Sequence, residues 1–210
     1  MAEVKSIKTR TQRAAETRGR ILDAARELFI TNGYGATNLQ EVADRATVAI
    51  QTIYFVFGNK RKLLKELVDV TIAGDDESIT TMDRPWFREA LASETAEALL
   101  RAYVRGVGEV LHRVAAITDM VATAVASDAE IAQLWPDGER PRLQVQTIVA
   151  EAIVTKPGAR ADVTAEAAAD ILFALLSPAL YLLFVRERGW STERWQQWTF
   201  DTLRAQLCAP

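Results

Sequence analysis

From Ile21 onward, apolar residues fall at Ile21, Leu22, Ala25, Leu28 and Phe29, the spacing of one stripe along an amphipathic helix. The stripe ends at Asn32-Gly33, where glycine can take the left-handed conformation that terminates a helix. Leu39, Val42, Ala43 and Ala46 form the inner face of a second helix. Its start is marked by Asn38 with Glu41 three residues on, the pattern of a capping box. After a break near Thr47, a third helix carries Ile53 and Phe57 inward at i, i+4. Gly58-Asn59 then separates it from a longer fourth helix that opens at Lys60. Three helices this short close one small core together, with Leu28, Phe29, Val42, Ile53 and Phe57 at its centre. A short helix, a tight break and a second short helix form a helix-turn-helix.

The remainder lacks strand-like alternation and is rich in alanine, which predicts an all-α chain. Helices are expected at 86–92, 95–113, 115–126, 141–155, 164–188 and 191–207. They are separated at Asp83-Arg84-Pro85, Trp135-Pro136-Asp137-Gly138, Lys156-Pro157-Gly158 and Arg188-Gly189.

Charge divides the chain in the same way. Residues 1–64 hold 11 Lys/Arg against 6 Asp/Glu, whereas residues 65–210 hold 14 against 22. The basic part suits a polyanion and the acidic part stays in solution. Expected domains are a basic N-terminal arm over 1–16, a helix-turn-helix domain over 17–64 with its fourth helix continuing to about 77, and a larger helical domain over 78–210. Asp75-Asp76-Glu77-Ser78 is the expected meeting point. No apolar segment opens the chain, Cys208 is the only cysteine, and the longest apolar run, Ile171–Val185, is short for a membrane span and contains Pro178. A cytoplasmic protein is expected.

The segment TRGRILDAARELFITNGYGATNLQEVADRATVAIQTIYFVFGNKRKLL resembles the DNA-binding domain of the TetR family of transcriptional regulators. The resemblance rests on ILDAARELF, the NGYGAT turn, LQEVADRA, TIYFVF and the NK-x-x-LL opening of the fourth helix. It implies that the third helix enters the major groove with Ile50, Gln51, Thr52, Tyr54 and Phe55 toward DNA. Thr37 and Lys60, at the starts of helices two and four, would meet phosphates. Glutamine can pair with adenine through two atoms, threonine offers a hydroxyl or a methyl, and lysine neutralises phosphate charge.

The sequence departs from many members where Thr47-Val48-Ala49-Ile50 replaces Gly-Val-Ser-Lys. Ala49 cannot cap, and a β-branched residue fits the left-handed region poorly. A remodelled turn with Thr47 as cap is therefore expected. Ile50 cannot hydrogen-bond and would favour a thymine methyl. Val56 stands at a common histidine position.

Ile171–Val185 has no polar face, which requires burial on more than one side. One side is expected against its own domain and the other against a second copy of the chain. Leu180, Phe184, Trp195, Trp198 and Thr202 are the candidate contacts of this homodimer, and two-fold symmetry suits a near-palindromic operator. The resemblance also implies an effector pocket among the middle helices. Its candidate lining is Tyr103, Val107, Leu111, Met120, Ala124, Trp135, Leu143, Phe173 and Leu176, for a small apolar or aromatic ligand.

The expected function is a DNA-binding regulator, most often a repressor in this family, released from its operator by such a ligand. Alternatives are an activator or a DNA-binding dimer with no effector. Enzymatic and metal chemistry find little support. Glu109-Val110-Leu111-His112 is an E-x-x-H pattern, but His112 is the only histidine and helical di-metal sites need two such motifs with further carboxylates. No cofactor is expected.

Overall fold

The computed structural model describes residues 9–73 and 80–210. Asp75–Ser78, the expected meeting point of the two domains, lies outside the described residues. Eleven α-helices are found among the described residues: α1 (Arg10–Asn32), α2 (Leu39–Ala46), α3 (Ile50–Phe57), α4 (Lys60–Ala73), α5 (Pro85–Leu91), α6 (Ala96–Ser127), α7 (Ala129–Ala132), α8 (Arg140–Val154), α9 (Ala165–Leu175), α10 (Pro178–Leu182) and α11 (Thr192–Leu207). The chain forms two compact units. One runs to Asp69 and takes in Met120–Ile131; the other comprises Val70–Asp119 and Ala132–Pro210.

In the first unit, α1 begins at Arg10, about ten residues before the apolar stripe starts. Thr9 caps it: Thr9 Oγ1 accepts from the Gln12 amide, while Gln12 Oε1 accepts from the Thr9 amide at 2.8 Å. Arg10 and Arg13 therefore stand on a helix rather than in an irregular arm, and every side chain from Arg10 to Glu16 is exposed. The helix extends beyond the stripe because local capping needs no buried face. The core below contains Ile21, Ala25, Phe29, Val42, Ile53, Phe57, Leu63 and Leu64, all buried. Leu28, expected at its centre, sits half-buried at the rim.

In the second unit the expected helices 95–113 and 115–126 are one continuous α6, whose last turns belong to the first unit. No proline or capping residue interrupts the helical register near residue 114. The expected helix 164–188 is instead divided. Pro178 cannot donate to the helix ladder and takes the first position of α10, with Ser177 Oγ accepting from the Leu180 amide as its cap. A π-helical turn, Leu183–Glu187, continues α10. Among the described residues no single helix is long and apolar enough to cross a membrane; α9 and the stretch Pro178–Glu187 approach that composition only as a bent pair.

Candidate nucleic-acid interface

The turn between α2 and α3 is built on the backbone of Thr47. Thr47 adopts φ 56°, ψ 53° and closes α2, its amide donating to the carbonyls of Ala43 and Asp44. It is the one non-glycine residue of positive φ among the described residues. Ala49, with no capping side chain, precedes α3. The expected remodelling with Thr47 as N-cap does not occur: Thr47 ends one helix and does not begin the next. Packing of Val42, Ile53 and Phe57 holds α2 and α3 in place, and the backbone of Thr47 bears the strain.

On α3, Ile53 and Phe57 face the core and everything else faces outward. Phe55 is 90% exposed and Tyr54 52%. Gln51 and Val56 are exposed, while Ile50 and Thr52 are half-buried. These six outward residues are spread over two helical turns on one short, rigid element.

Thr37 departs from its expected role. It is buried, and its hydroxyl faces the carbonyl oxygens of Leu28 at 3.2 Å and Gly33 at 3.0 Å. A side chain so enclosed ties the α1–α2 connection together and has no hydroxyl to offer a phosphate. The start of α2 is capped by Asn38, whose Oδ1 accepts from the Glu41 amide at 2.9 Å while Glu41 Oε2 accepts from the Asn38 amide at 2.8 Å.

The three cations that open α4 divide between different tasks. Lys60 Nζ donates to the Tyr34 carbonyl at 2.5 Å and lies 4.1 Å from the centre of its ring. Burial lowers its pKa, and Glu41 opposes that shift. Arg61 is ion-paired with Glu130 and, at 3.8 Å, with Asp128, both beyond the end of α6 in the same unit. Lys62 flanks an open trough of about 520 Å³ that also contains Tyr54, Phe55 and Lys65. Adjacency in sequence hid this division, because three consecutive helical positions point 100° apart.

The candidate effector residues are distributed between the units. Met120 and Ala124 are buried in the first; Tyr103, Leu111 and Leu176 are buried in the second. Val107, Trp135 and Phe173 are half-buried. Leu143, at 39% exposed, lies at the surface and does not line an enclosed space. Sequence reasoning missed the polar group among them. The Tyr103 hydroxyl donates to Gln146 Oε1 at 3.0 Å, and both side chains are buried. Arg142 adds a cation 3.5 Å from the Phe173 ring centre. The open trough beside α6 and α11, about 700 Å³, contains none of the nine expected residues and is edged by Glu97, Arg101, Arg105 and Glu193.

Of the expected dimer contacts, Trp195 is fully buried within its own protomer, 5.0 Å from the Tyr181 ring, and belongs to the core. Leu180, Phe184, Trp198 and Thr202 are half-buried. Phe184 lies 4.5 Å from the ring of Trp190 and 4.6 Å from that of Trp198, and Leu183 beside it is 50% exposed. Trp190 and Leu183 thus extend this apolar face beyond the residues the sequence pointed to.

A capped three-helix head that presents the outer surface of its third helix beside basic residues is a helix-turn-helix nucleic-acid-binding unit. Residues 21–67 match the family model described as bacterial regulatory proteins, tetR family. Over those residues the chain is similar to the DNA-binding segment of the TetR family. It is 31% identical over 120 residues to the HTH-type transcriptional regulator TtgR of Pseudomonas putida, an alignment covering 54% of this chain and 57% of that one. The chain thus spans little more than half the length of this curated relative. Among solved structures, NalD, the secondary repressor of the MexAB-OprM multidrug efflux pump in Pseudomonas aeruginosa, superposes with a TM-score of 0.66 at 19% identity, covering 93% of this chain and 98% of that one. FadR of Bacillus subtilis in complex with stearoyl-CoA does so with 0.65 at 18%, covering 88% and 96%. At such identities these structures establish a shared fold.

Proposed function

We propose that this chain is a sequence-specific DNA-binding transcriptional repressor that acts as a homodimer in the cytoplasm and leaves its operator when a small apolar ligand binds. The observation that carries the DNA reading is α3 itself: six outward side chains, two of them aromatic and more than half exposed, on the third helix of a helix-turn-helix. A folded head gains nothing from such exposure in water, and gains contact area when α3 enters a major groove. Gln51 and Thr52 supply base-edge hydrogen bonds, Ile50, Tyr54 and Phe55 supply contact area, and Lys62 neutralises a phosphate. Lys60 acts by fixing Tyr34 at the start of the α1–α2 connection.

The dimer is proposed through Leu180, Leu183, Phe184, Trp198 and Thr202, a largely apolar face on α10, the π-helical turn and α11 that a second copy would cover about a two-fold axis. Two α3 helices then address two half-sites of one near-palindrome. The repressor and ligand readings draw on NalD and on FadR with its acyl ligand, and on buried Tyr103, Leu111 and Leu176 with one polar pair, Tyr103–Gln146, to orient a guest. A ligand shifts the equilibrium only by binding the DNA-free arrangement more tightly.

Thermal melting against a panel of apolar and aromatic compounds finds binders by a raised midpoint. Those binders are then titrated into the complex with a duplex selected from random DNA. Release of the duplex is expected; binders that leave its affinity unchanged would remove the effector reading.

A further inference from the structure

The recognition helix carries no charged residue: Ile50–Phe57 reads IQTIYFVF. Arginine and lysine make the commonest specific contact in the major groove, to guanine O6 and N7, and that contact is closed to α3. What α3 exposes is apolar. Phe55 is 90% exposed, Val56 is 37% exposed, and Ile50 keeps part of its surface open. In the major groove only one base edge is apolar, the 5-methyl group of thymine.

The geometry points to Phe55, with Ile50 and Val56, as a reader of thymine methyl groups, so that the half-site facing α3 is rich in A·T pairs. The inference rests on the DNA-binding reading above. Gln51 and Phe55 are four residues apart, which places them one above the other on the same face of α3. A glutamine at Gln51 prefers adenine, and the thymine paired with an adenine presents its methyl in the same groove. One column of the helix thus has a polar group for the purine and a ring for the methyl of an A·T step. Thr52 and Val56 repeat the arrangement one column over. Beside them Lys62 edges the trough that Phe55 shares, and a cation there suits the phosphates that border a groove, whereas Lys65 in the same trough is ion-paired with Asp69. Phe55 makes no buried contact in the free protein, so its surface is uncommitted until a partner meets it.

The test uses the full chain and a duplex selected from random DNA. Thymidine is replaced by deoxyuridine, which removes only the methyl, one position at a time across the half-site and in the spacer. Affinity is expected to fall about fourfold for each methyl that α3 buries, and to stay constant for spacer positions. Phe55→Ala, at a side chain that packs on nothing, is expected to bind the thymine and uracil duplexes equally at its position; Phe55→Leu retains a preference for thymine. If thymine and uracil duplexes bind the wild type alike while the selected sequence still outcompetes a scrambled one, methyl reading is overturned and DNA reading stands. If Phe55→Ala still discriminates thymine from uracil at every position, Phe55 is not the reader. A chain with no preference for any selected duplex over a scrambled one loses both.

Discussion

Lys60 Nζ sits 2.5 Å from the carbonyl oxygen of Tyr34 and 4.1 Å from the centre of the same residue's ring. One side chain thus satisfies a carbonyl and covers an aromatic face across 26 residues of sequence. Lys60→Met keeps the stem and removes the donor. It is expected to destabilise the head by roughly 1 kcal/mol, since a half-buried carbonyl loses its partner. Lys62→Ala removes a cation at the trough and is expected to stay within about 0.5 kcal/mol of wild-type stability. It should weaken binding to all duplexes alike and lower the salt dependence by about one phosphate contact. Urea denaturation and salt-titrated DNA binding separate the two.

The turn between α2 and α3 leaves room for stabilisation. Thr47 is held in the left-handed region, where an L-residue is disfavoured by roughly 1–2 kcal/mol, and glycine there recovers part of that after its larger unfolded-state entropy. Ala49 precedes α3 without a capping side chain, and Ala49→Ser is expected to add about 1 kcal/mol. Each variant should raise the denaturation midpoint of the head without moving α3. A serine that fails to stabilise would show that another group already satisfies the first amides of α3.

How far these positions could be read in advance differs from residue to residue. Ile53, Phe57 and Val42 were legible because a buried face repeats every three or four residues. Asn38 with Glu41 was legible because a cap is a local rule, and both of its hydrogen bonds form. Thr37 was not, since its neighbours in sequence give no sign that its hydroxyl meets the carbonyl of Leu28, nine residues back. Trp195 and Trp198 looked alike in sequence. Only the rotation of α11 against Tyr181 buries one and leaves the other half-open. Thr47 was misjudged through local preference, a weak force beside the packing of two helices on a common core.

Burial raises the pKa of Tyr103 above its ordinary value, and the Arg142 charge opposes the shift only in part. A phenol that ionises more readily in the unfolded chain contributes its stability in full below about pH 10 and loses it as pH climbs past that value. Unfolding free energy is therefore expected to fall above pH 10 with a term of about 1.4 kcal/mol per pH unit from this residue. Tyr103→Phe should remove that term. It should also cost roughly 1–3 kcal/mol at pH 7, because Gln146 Oε1 is left buried without a donor. Denaturation profiles at pH 7 to 11 test both.

Leu183 is 50% exposed beside the cluster of Phe184, Trp190 and Trp198. Leu183→Asp places a charge on this face without entering the protomer core. Sedimentation is expected to report a dimer for the wild type and a single protomer for the variant, with helical content retained. A variant of unchanged mass would move the interface elsewhere.

The most direct measurement is the affinity of the purified chain for its best duplex selected from random DNA, against a scrambled duplex of equal length and composition at one physiological salt concentration. Two α3 helices reading base edges predict a ratio on the order of a thousand or more, with two protomers on each selected duplex. Equal affinity for both duplexes, whatever its strength, would contradict the account.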